Sequence, residues 1–199
     1  MTPARALFAA ALLACAVAAP AAESTDLSTV SERSGFQRTG RYDEVLALCD
    51  AFQQRWPDAV RCETFGTTPE GRPMQALAVS TSGALTPEAA NAAALPVMLV
   101  QGGIHAGEID GKDAGFLLVR EALEGKLRRD LLARQVLLFV PVFNVDGHER
   151  FAAFNRPNQR GPEEMGWRVT AQNYNLNRDY AKADTPEMHA MLGLVNACP

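Results

Sequence analysis

Residues 95–108 read LPVMLVQGGIHAGE, and residues 136–143 read VLLFVPVF. Each begins as a continuous apolar run, the pattern of a strand buried on both faces of a sheet. Between them, residues 113–123 have the apolar spacing of a helix. Strand, crossover helix and strand in this order predict an α/β fold with parallel pairing. We therefore expect a mixed, largely parallel central sheet flanked by helices.

Upstream of these strands the sequence predicts a helix and a hairpin. Apolar residues fall on one stripe over residues 41–56, and Pro57 ends that helix. Residues 60–65 alternate like a strand and residues 74–80 return as its partner, with turn residues between them. A loop is expected over residues 82–94.

Downstream, residues 144–184 form a long polar segment, and loops of that length in a compact domain are usually functional. A last helix is predicted over residues 188–196, capped by Thr185, Pro186 and Glu187. A helix after a crossover strand normally leads to another strand, and none follows. We therefore expect the fold to be truncated at its C-terminal side.

The N-terminal residues indicate export. One positive charge precedes an apolar run over residues 6–19, and small residues follow it. This order is typical of a secretory signal peptide, expected over residues 1–21, and the run is too short for a stable membrane span. The mature protein is then periplasmic or secreted. Lipoprotein anchoring through Cys15 is a minor alternative.

Composition bounds the function. The chain has 199 residues, of which 47% are hydrophobic and 21% charged, as in an ordinary globular domain. The net charge is -4 and there is no basic run, so a nucleic-acid partner is not expected. Cys49 and Cys62 either pair in an oxidising compartment or act as small buried hydrophobes, and Cys198 has no obvious partner.

His105 and Glu108 lie three residues apart, just past the end of the first buried strand. Ligands bind at that edge of an open α/β sheet, and both side chains are good zinc ligands. Gly107 between them allows a tight turn. Alone, such a pair is more often a solvated loop pair than a metal site.

Four motifs in this order make the pattern specific. They are FGTTPEGR at residues 65–72, QGGIHAGE at 101–108, PVFNVDG at 141–147 and NLNRDY at 175–180. Together they resemble the zinc carboxypeptidases of the carboxypeptidase A family, from about residue 60 to the end. The resemblance implies the N-terminal part of a catalytic domain over residues 41–199, which follows the expected signal peptide and a polar lead-in over residues 22–40.

The resemblance also implies roles for single residues. His105 and Glu108 match the first two ligands of one Zn²⁺ ion. Arg168 matches an arginine that polarises the scissile carbonyl and stabilises the oxyanion. Asn177 and Arg178 match a pair that binds the C-terminal carboxylate of a peptide substrate, although Arg178 could instead form a salt bridge to a neighbouring aspartate.

Two positions depart from the family pattern. Asn175 stands where an aspartate often orients the zinc-bound histidine, and Gly107 replaces an arginine that some relatives use in substrate binding. No position matches the third zinc ligand, a histidine, or the general-base glutamate. His148 is interpreted as a polar loop residue and His189 as a surface or packing residue of the last helix, so neither is expected to bind metal.

The sequence therefore predicts a zinc metallocarboxypeptidase that removes C-terminal residues from peptides with a free carboxylate. Because two ligands cannot hold a catalytic zinc, the 199-residue chain alone is expected to be inactive. Two alternatives remain: a zinc deacylase of small amino-acid conjugates on the same fold, and a non-catalytic module that binds carboxylates.

Overall fold

A computed structural model describes residues 26–198, and the side chain of residue 129 is left out of this description. The predicted signal peptide lies outside the described residues. The helices are α1 (Val30–Arg33), α2 (Tyr42–Arg55), α3 (Pro87–Ala92), α4 (Asp110–Leu123), α5 (Arg129–Ala133), α6 (Val145–Glu149) and α7 (Pro186–Ala197). The strands are β1 (Val60–Thr67), β2 (Pro73–Val79), β3 (Val97–Gln101) and β4 (Val136–Val140). Within residues 26–198, no helix combines the length and apolar character needed to cross a bilayer.

The four strands form one mixed sheet in the order β1-β2-β4-β3. β1 pairs antiparallel with β2, and β2 pairs antiparallel with β4. β3 and β4 run parallel, with Val97 opposite Val136 and Gln101 opposite Val140. The predicted α/β class, the mixed sheet, the hairpin and the parallel pair joined by a crossover helix are confirmed. Among the described strands, however, two of the three pairings are antiparallel, so the expectation of a largely parallel sheet is wrong there.

Aromatic side chains fix the helices to the sheet. Phe116 of α4 lies between Phe52 of α2 and Phe139 of β4, with ring centroids 5.7 Å and 5.4 Å away. All three are buried. Gly115 is required beside them, because a Cβ at that position would lie 2.1 Å from Cζ of Phe139. The crossover helix is therefore held close against the strand that follows it.

The prediction that β3 is buried on both faces is wrong. Met98, Leu99 and Val100 are 46%, 37% and 38% exposed, whereas every residue of β4 is buried. Successive side chains of a strand point to opposite faces, so both faces of β3 are open. β3 is one of the two edge strands among the described residues, and an apolar run predicts a strand but not how many neighbours it has.

Two loop predictions also need correction. The loop expected over residues 82–94 contains α3, whose N-cap Thr86 accepts a hydrogen bond from the backbone N–H of Ala89. The polar segment over residues 144–184 contains α6 and a 3₁₀ turn at Leu176–Arg178. The last helix is confirmed, with Thr185 capping it by accepting from the N–H of Met188.

The N-terminal lead-in packs against α4. Arg120 of α4 donates to Glu32 at 3.1 Å, and Thr39 donates to Asp113 at 2.8 Å. A disulfide joins Cys49 of α2 to Cys62 of β1, with Cα atoms 5.6 Å apart, a normal separation for such a bond. The two hydrogen bonds therefore hold the lead-in on α4, and the disulfide ties α2 to the strand that follows it.

Glu187 in the first turn of α7 provides a pH-dependent test of the fold. Its side chain is fully buried, and neither carboxylate oxygen has a hydrogen-bond partner among residues 26–198. Burial, reinforced by the charges of Asp146 and Asp179, raises the pKa of Glu187 above its ordinary value. A carboxyl group whose pKa is higher in the folded than in the unfolded protein stabilises the fold while it is protonated. This contribution is fully present below the pKa of the group in the unfolded chain, and it is lost as the pH rises through its pKa in the folded protein.

Glu187→Gln is therefore expected to gain stability relative to the unaltered chain as pH rises from 4 to 8, by on the order of 1 kcal/mol. Urea unfolding at several pH values measures the difference. The exposed Glu164 provides the control, since Glu164→Gln should leave the pH profile unchanged. Parallel profiles for Glu187→Gln and the unaltered chain would contradict the prediction.

Candidate metal and substrate site

The site begins where β3 and β4 end together. Hydrogen bonds between the strands continue past β3, because the N–H of Phe143 donates to the carbonyl of Gly102 and that of Asn144 to Gly103. Gly102 needs to be glycine, since a Cβ there would lie 2.4 Å from the carbonyl oxygen of Pro141. This close approach delivers the next turn to the carboxyl edge of the parallel pair, as predicted.

His105 and Glu108 converge on that turn. The N–H of Glu108 donates to the carbonyl of His105 at 2.9 Å, which closes the turn just before α4. Nδ1 of His105 lies 3.2 Å from Oε1 of Glu108. His105 is buried and Glu108 is half-exposed, so the pair is fixed on one side and open to solvent on the other.

The hydrogen bond of the opposite ring nitrogen determines what this pair can bind. Nε2 of His105 lies 3.3 Å from Oδ1 of Asn175, and an amide oxygen can only accept. The carboxylate of Glu108 also only accepts, so without a metal either ring nitrogen is the donor. In the tautomer with the proton on Nε2, Nδ1 presents a lone pair to the carboxylate oxygen, and these two atoms together suit a cation.

Zinc fits that position. A nitrogen and an oxygen bound tetrahedrally to one zinc lie about 3.3 Å apart, given bond lengths of roughly 2.0–2.2 Å. The distance between Nδ1 and Oε1 matches this value. Across residues 26–198, however, no group of three or more His, Cys, Asp or Glu side chains converges on a metal-sized site. The described part of the chain thus offers two metal ligands.

Asn175 links the candidate metal ligand His105 to the predicted carboxylate-binding residues. Its Oδ1 also accepts from the N–H of Asn177 at 3.1 Å, so one amide orients both the His105 ring and the 3₁₀ turn. Nη1 of Arg178 donates to the carbonyl of Asn177. Arg178 does not form the salt bridge to Asp179 that was the alternative for it. Asp179 instead accepts hydrogen bonds from the hydroxyl and the N–H of Thr185.

Arg168 reaches the same site from the polar segment. Its Nη1 lies 4.0 Å from Oε1 of Glu108, and its side chain is 41% exposed. The carbonyl of Arg168 accepts from Nδ2 of Asn144 at 3.2 Å, which fixes this loop to the end of β4. The structure therefore brings Arg168 and the His105–Glu108 pair together, although they are distant in sequence.

Arg156 is the residue that sequence reasoning missed. Its Nη2 donates to Oε1 of Glu108 at 2.7 Å, and its side chain is only 11% exposed. Burial alone would raise the pKa of Glu108, but the hydrogen bond and charge of Arg156, with His105, hold that pKa below its ordinary value. The side chain missing at Gly107 was a signal that another residue fills this space.

The interpretation of His148 as a polar loop residue is wrong. It lies in α6, is 1% exposed and contacts the rings of Tyr42 and Phe151 edge-on. Burial lowers the pKa of His148, which keeps it neutral, although Nδ1 lies 3.1 Å from Glu149. His148 is a core residue. His189 is exposed on α7, which confirms its placement on the surface of the last helix.

A histidine and a carboxylate that could hold a metal lie at the carboxyl edge of a mixed sheet, with arginines beside them, so this edge is a candidate metal site on an α/β fold. The comparison with family models identifies the class further. Residues 45–190 match the zinc carboxypeptidase family, and the chain belongs to that family. The predicted resemblance is thereby confirmed.

Individual relatives agree with this assignment. Carboxypeptidase B of Astacus astacus is 26% identical over 141 residues, which cover 70% of this chain and 44% of that protein. The crystal structure of a metallo-carboxypeptidase from Burkholderia cenocepacia is 26% identical with a TM-score of 0.58, covering 79% of this chain and 38% of that one. Carboxypeptidase A from Helicoverpa armigera shares the fold at 19% identity, with a TM-score of 0.59 and coverage of 89% and 48%. The chain thus spans less than half the length of these relatives.

Proposed function

We propose that the protein is a zinc-dependent carboxypeptidase that removes C-terminal residues from peptides. The observation that supports this most directly is the convergence of Nδ1 of His105 and Oε1 of Glu108, 3.2 Å apart, with Asn175 behind the ring. When bound there, zinc would polarise the scissile carbonyl and activate water. His105 and Glu108 would hold it, and Asn175 would keep the ring in the required tautomer.

Arg168 is proposed to stabilise the oxyanion that forms on the scissile carbonyl. Its guanidinium lies close enough to Glu108 to share the site and is exposed enough to meet a substrate. A fixed cation aimed at a developing negative charge is usually a large contribution to catalysis. The hydrogen bond from the side chain of Asn144 to the carbonyl of Arg168 supports this role, because it fixes the loop from which Arg168 extends.

Asn177 and Arg178 are proposed to bind the C-terminal carboxylate of the substrate. Within residues 26–198, Nη1 of Arg178 is the only guanidinium nitrogen that donates, to the carbonyl of Asn177, which leaves the other donors of the planar fork for a carboxylate. Asp179 is committed to Thr185 and the N–H of Asp184, so it does not compete for the guanidinium. Asn175 places this turn directly beside the metal ligand.

Catalytic zinc sites use three protein ligands and a water, and residues 26–198 offer two. We therefore propose that the third ligand and the general base come from outside the described residues, and that the 199-residue chain alone hydrolyses no peptide. Export is part of the same proposal, supported by the apolar N-terminal run and by a disulfide that suits an oxidising compartment.

The test uses the protein purified from the exported fraction of its source. Its mass and N-terminus are measured, with a start near residue 22 expected. The same peptide is then supplied in two forms, one with a free C-terminal carboxylate and one with a C-terminal amide. Release of the last residue from the free form alone, lost with a chelator and restored by zinc, is the expected result.

Other outcomes select the alternatives. Hydrolysis of acylated amino acids without hydrolysis of peptides would replace the carboxypeptidase proposal with a deacylase. Carboxylate binding that survives the chelator, with no turnover, would indicate a non-catalytic binding module. An intracellular protein with an intact N-terminus would overturn the export proposal.

A further inference from the structure

The ion pair between Arg156 and Glu108 lies directly on the proposed metal ligand. Nη2 of Arg156 donates to Oε1 of Glu108 at 2.7 Å, the same oxygen that faces Nδ1 of His105. Two residues 48 positions apart therefore meet at the point where a cation would bind. The contact is charge-assisted, which makes it stronger than a neutral hydrogen bond.

The chain makes room for this contact at Gly107. A Cβ at Gly107 would lie 2.7 Å from Cγ and 3.0 Å from Cδ of Arg156, and 2.6 Å from the carbonyl oxygen of Gly166. The aliphatic part of Arg156 therefore occupies the space that a side chain at Gly107 would fill. Any larger residue there would push Arg156 away from Glu108.

The loop that holds Arg156 is fixed on both sides of it. Nδ2 of Asn155 donates to the carbonyls of Arg150 and Met165, and Nε2 of Gln159 donates to the carbonyl of Gly107 at 3.2 Å. The bond from Gln159 joins the loop to the same turn that holds His105 and Glu108. Arg156 thus reaches Glu108 from a loop that hydrogen bonds hold on both sides of it.

The remaining donors of Arg156 favour a role behind the site. Nε and Nη1 are buried and have no hydrogen-bond partner among residues 26–198. Buried donors cannot contact a substrate without moving, whereas Nη2 already contacts the metal ligand. Arg156 is therefore placed to act through Glu108.

We propose that Arg156 is a positioning residue that holds Glu108 in the orientation that binds the metal opposite His105, and thereby sets the affinity of the site for zinc. This inference rests on the proposed function, since it takes the bound cation to be zinc. Glu108 is half-exposed and has a long, flexible side chain. Holding such a side chain in its binding orientation before the metal binds improves the affinity for zinc roughly 10-fold.

The test measures the zinc dissociation constant by competition with a chromophoric chelator, using the full protein from its source freed of metal. Arg156→Met keeps the aliphatic stem beside Gly107 but removes the charge and the donor. It is expected to weaken zinc binding about 10- to 100-fold, the range typical for partners of metal ligands. Arg156→Lys should recover most of that loss, and Arg160→Met, an exposed arginine of the same loop, should change nothing.

Two further measurements separate positioning from general stability. The thermal midpoint of metal-free Arg156→Met should match that of the unaltered protein, since the stem still fills its space. Gly107→Ala displaces the carbonyl of Gly166 as well as Arg156, so it should weaken zinc binding at least as much as Arg156→Met. Arg156→Lys, which keeps the charge, keeps the test valid if Arg156→Met folds poorly.

The outcomes distinguish this inference from the function it rests on. If the unaltered protein binds zinc and Arg156→Met binds it as tightly or more tightly, the positioning role is overturned and the proposed function stands. If the unaltered protein binds zinc no better than a His105→Ala variant, both are overturned.

Discussion

Replacing His105 with alanine is expected to weaken zinc binding by at least about 100-fold, above the usual range for loss of a partner that only orients a ligand. The substitution removes Nδ1, the nitrogen that faces Oε1 of Glu108, and leaves a single protein ligand in the described part of the site. Isothermal titration with zinc, or competition with a chromophoric chelator, measures the loss.

The chain contains a matched control for this experiment. His189 is exposed on α7, so His189→Ala should bind zinc as the unaltered protein does. Equal zinc affinity in the His105→Ala and His189→Ala variants would show that the ion, if bound, lies elsewhere. The control also reveals adventitious binding by surface histidines.

The largest loss of stability is expected from Lys112. Its side chain is 1% exposed, and Nζ donates to Glu44 of α2 at 2.9 Å and to Asp113 at 2.7 Å. Lys112→Ala would leave the buried carboxylate of Asp113 without its cation and Glu44 with only the more distant Arg33, 3.7 Å away. Breaking a buried ion pair in this way costs about 3–5 kcal/mol of unfolding free energy. Denaturant unfolding with a constant m-value measures it.

A control and a rescue sharpen this prediction. Lys126 pairs with Glu124 on the surface, where its side chain is 63% exposed, so Lys126→Ala should cost less than about 1 kcal/mol. Lys112→Met combined with Glu44→Gln and Asp113→Asn removes all three charges and should be more stable than Lys112→Met alone. A loss below about 1 kcal/mol for Lys112→Ala would rule out an energetic role for the cluster.

Much of the fold could be predicted because its elements have strong periodicity. The apolar run of β4, the helical spacing of α4 and the stripe on α2 each determine an element without knowledge of its neighbours. The sequence also contained a signal for α3, where a loop was predicted. Thr86-Pro87-Glu88 repeats the Thr-Pro-Glu cap from which the last helix was correctly predicted, and its alanine-rich continuation was interpreted as a loop.

The exposure of β3 could not be predicted in the same way. A run such as VMLV specifies a strand that suits burial, but the number of strands beside it depends on the whole sheet. His148 shows the opposite error, a residue expected at the surface that is in fact buried. Its polar neighbours in sequence, Glu149 and Arg150, suggested a loop, whereas packing against Tyr42 places it in the core.

For the site, the sequence could place ligands that lie close together but not partners that lie far apart. His105 and Glu108 share one turn, so their convergence follows from local geometry. Asn175 was singled out by its position in a motif, and the structure brings it to His105 across 70 residues. Arg156 lies in a segment without periodicity, so only the folded chain shows that it meets Glu108.

The open side of β3 also affects how the protein has to be made and handled. Among residues 26–198, the outer edge of β3 has no strand beside it, and with three exposed apolar residues it forms a surface to which extended segments of other molecules can add. We therefore expect the 199-residue chain to associate through this edge as its concentration rises. Lysine substitutions on that edge are the natural way to keep it soluble.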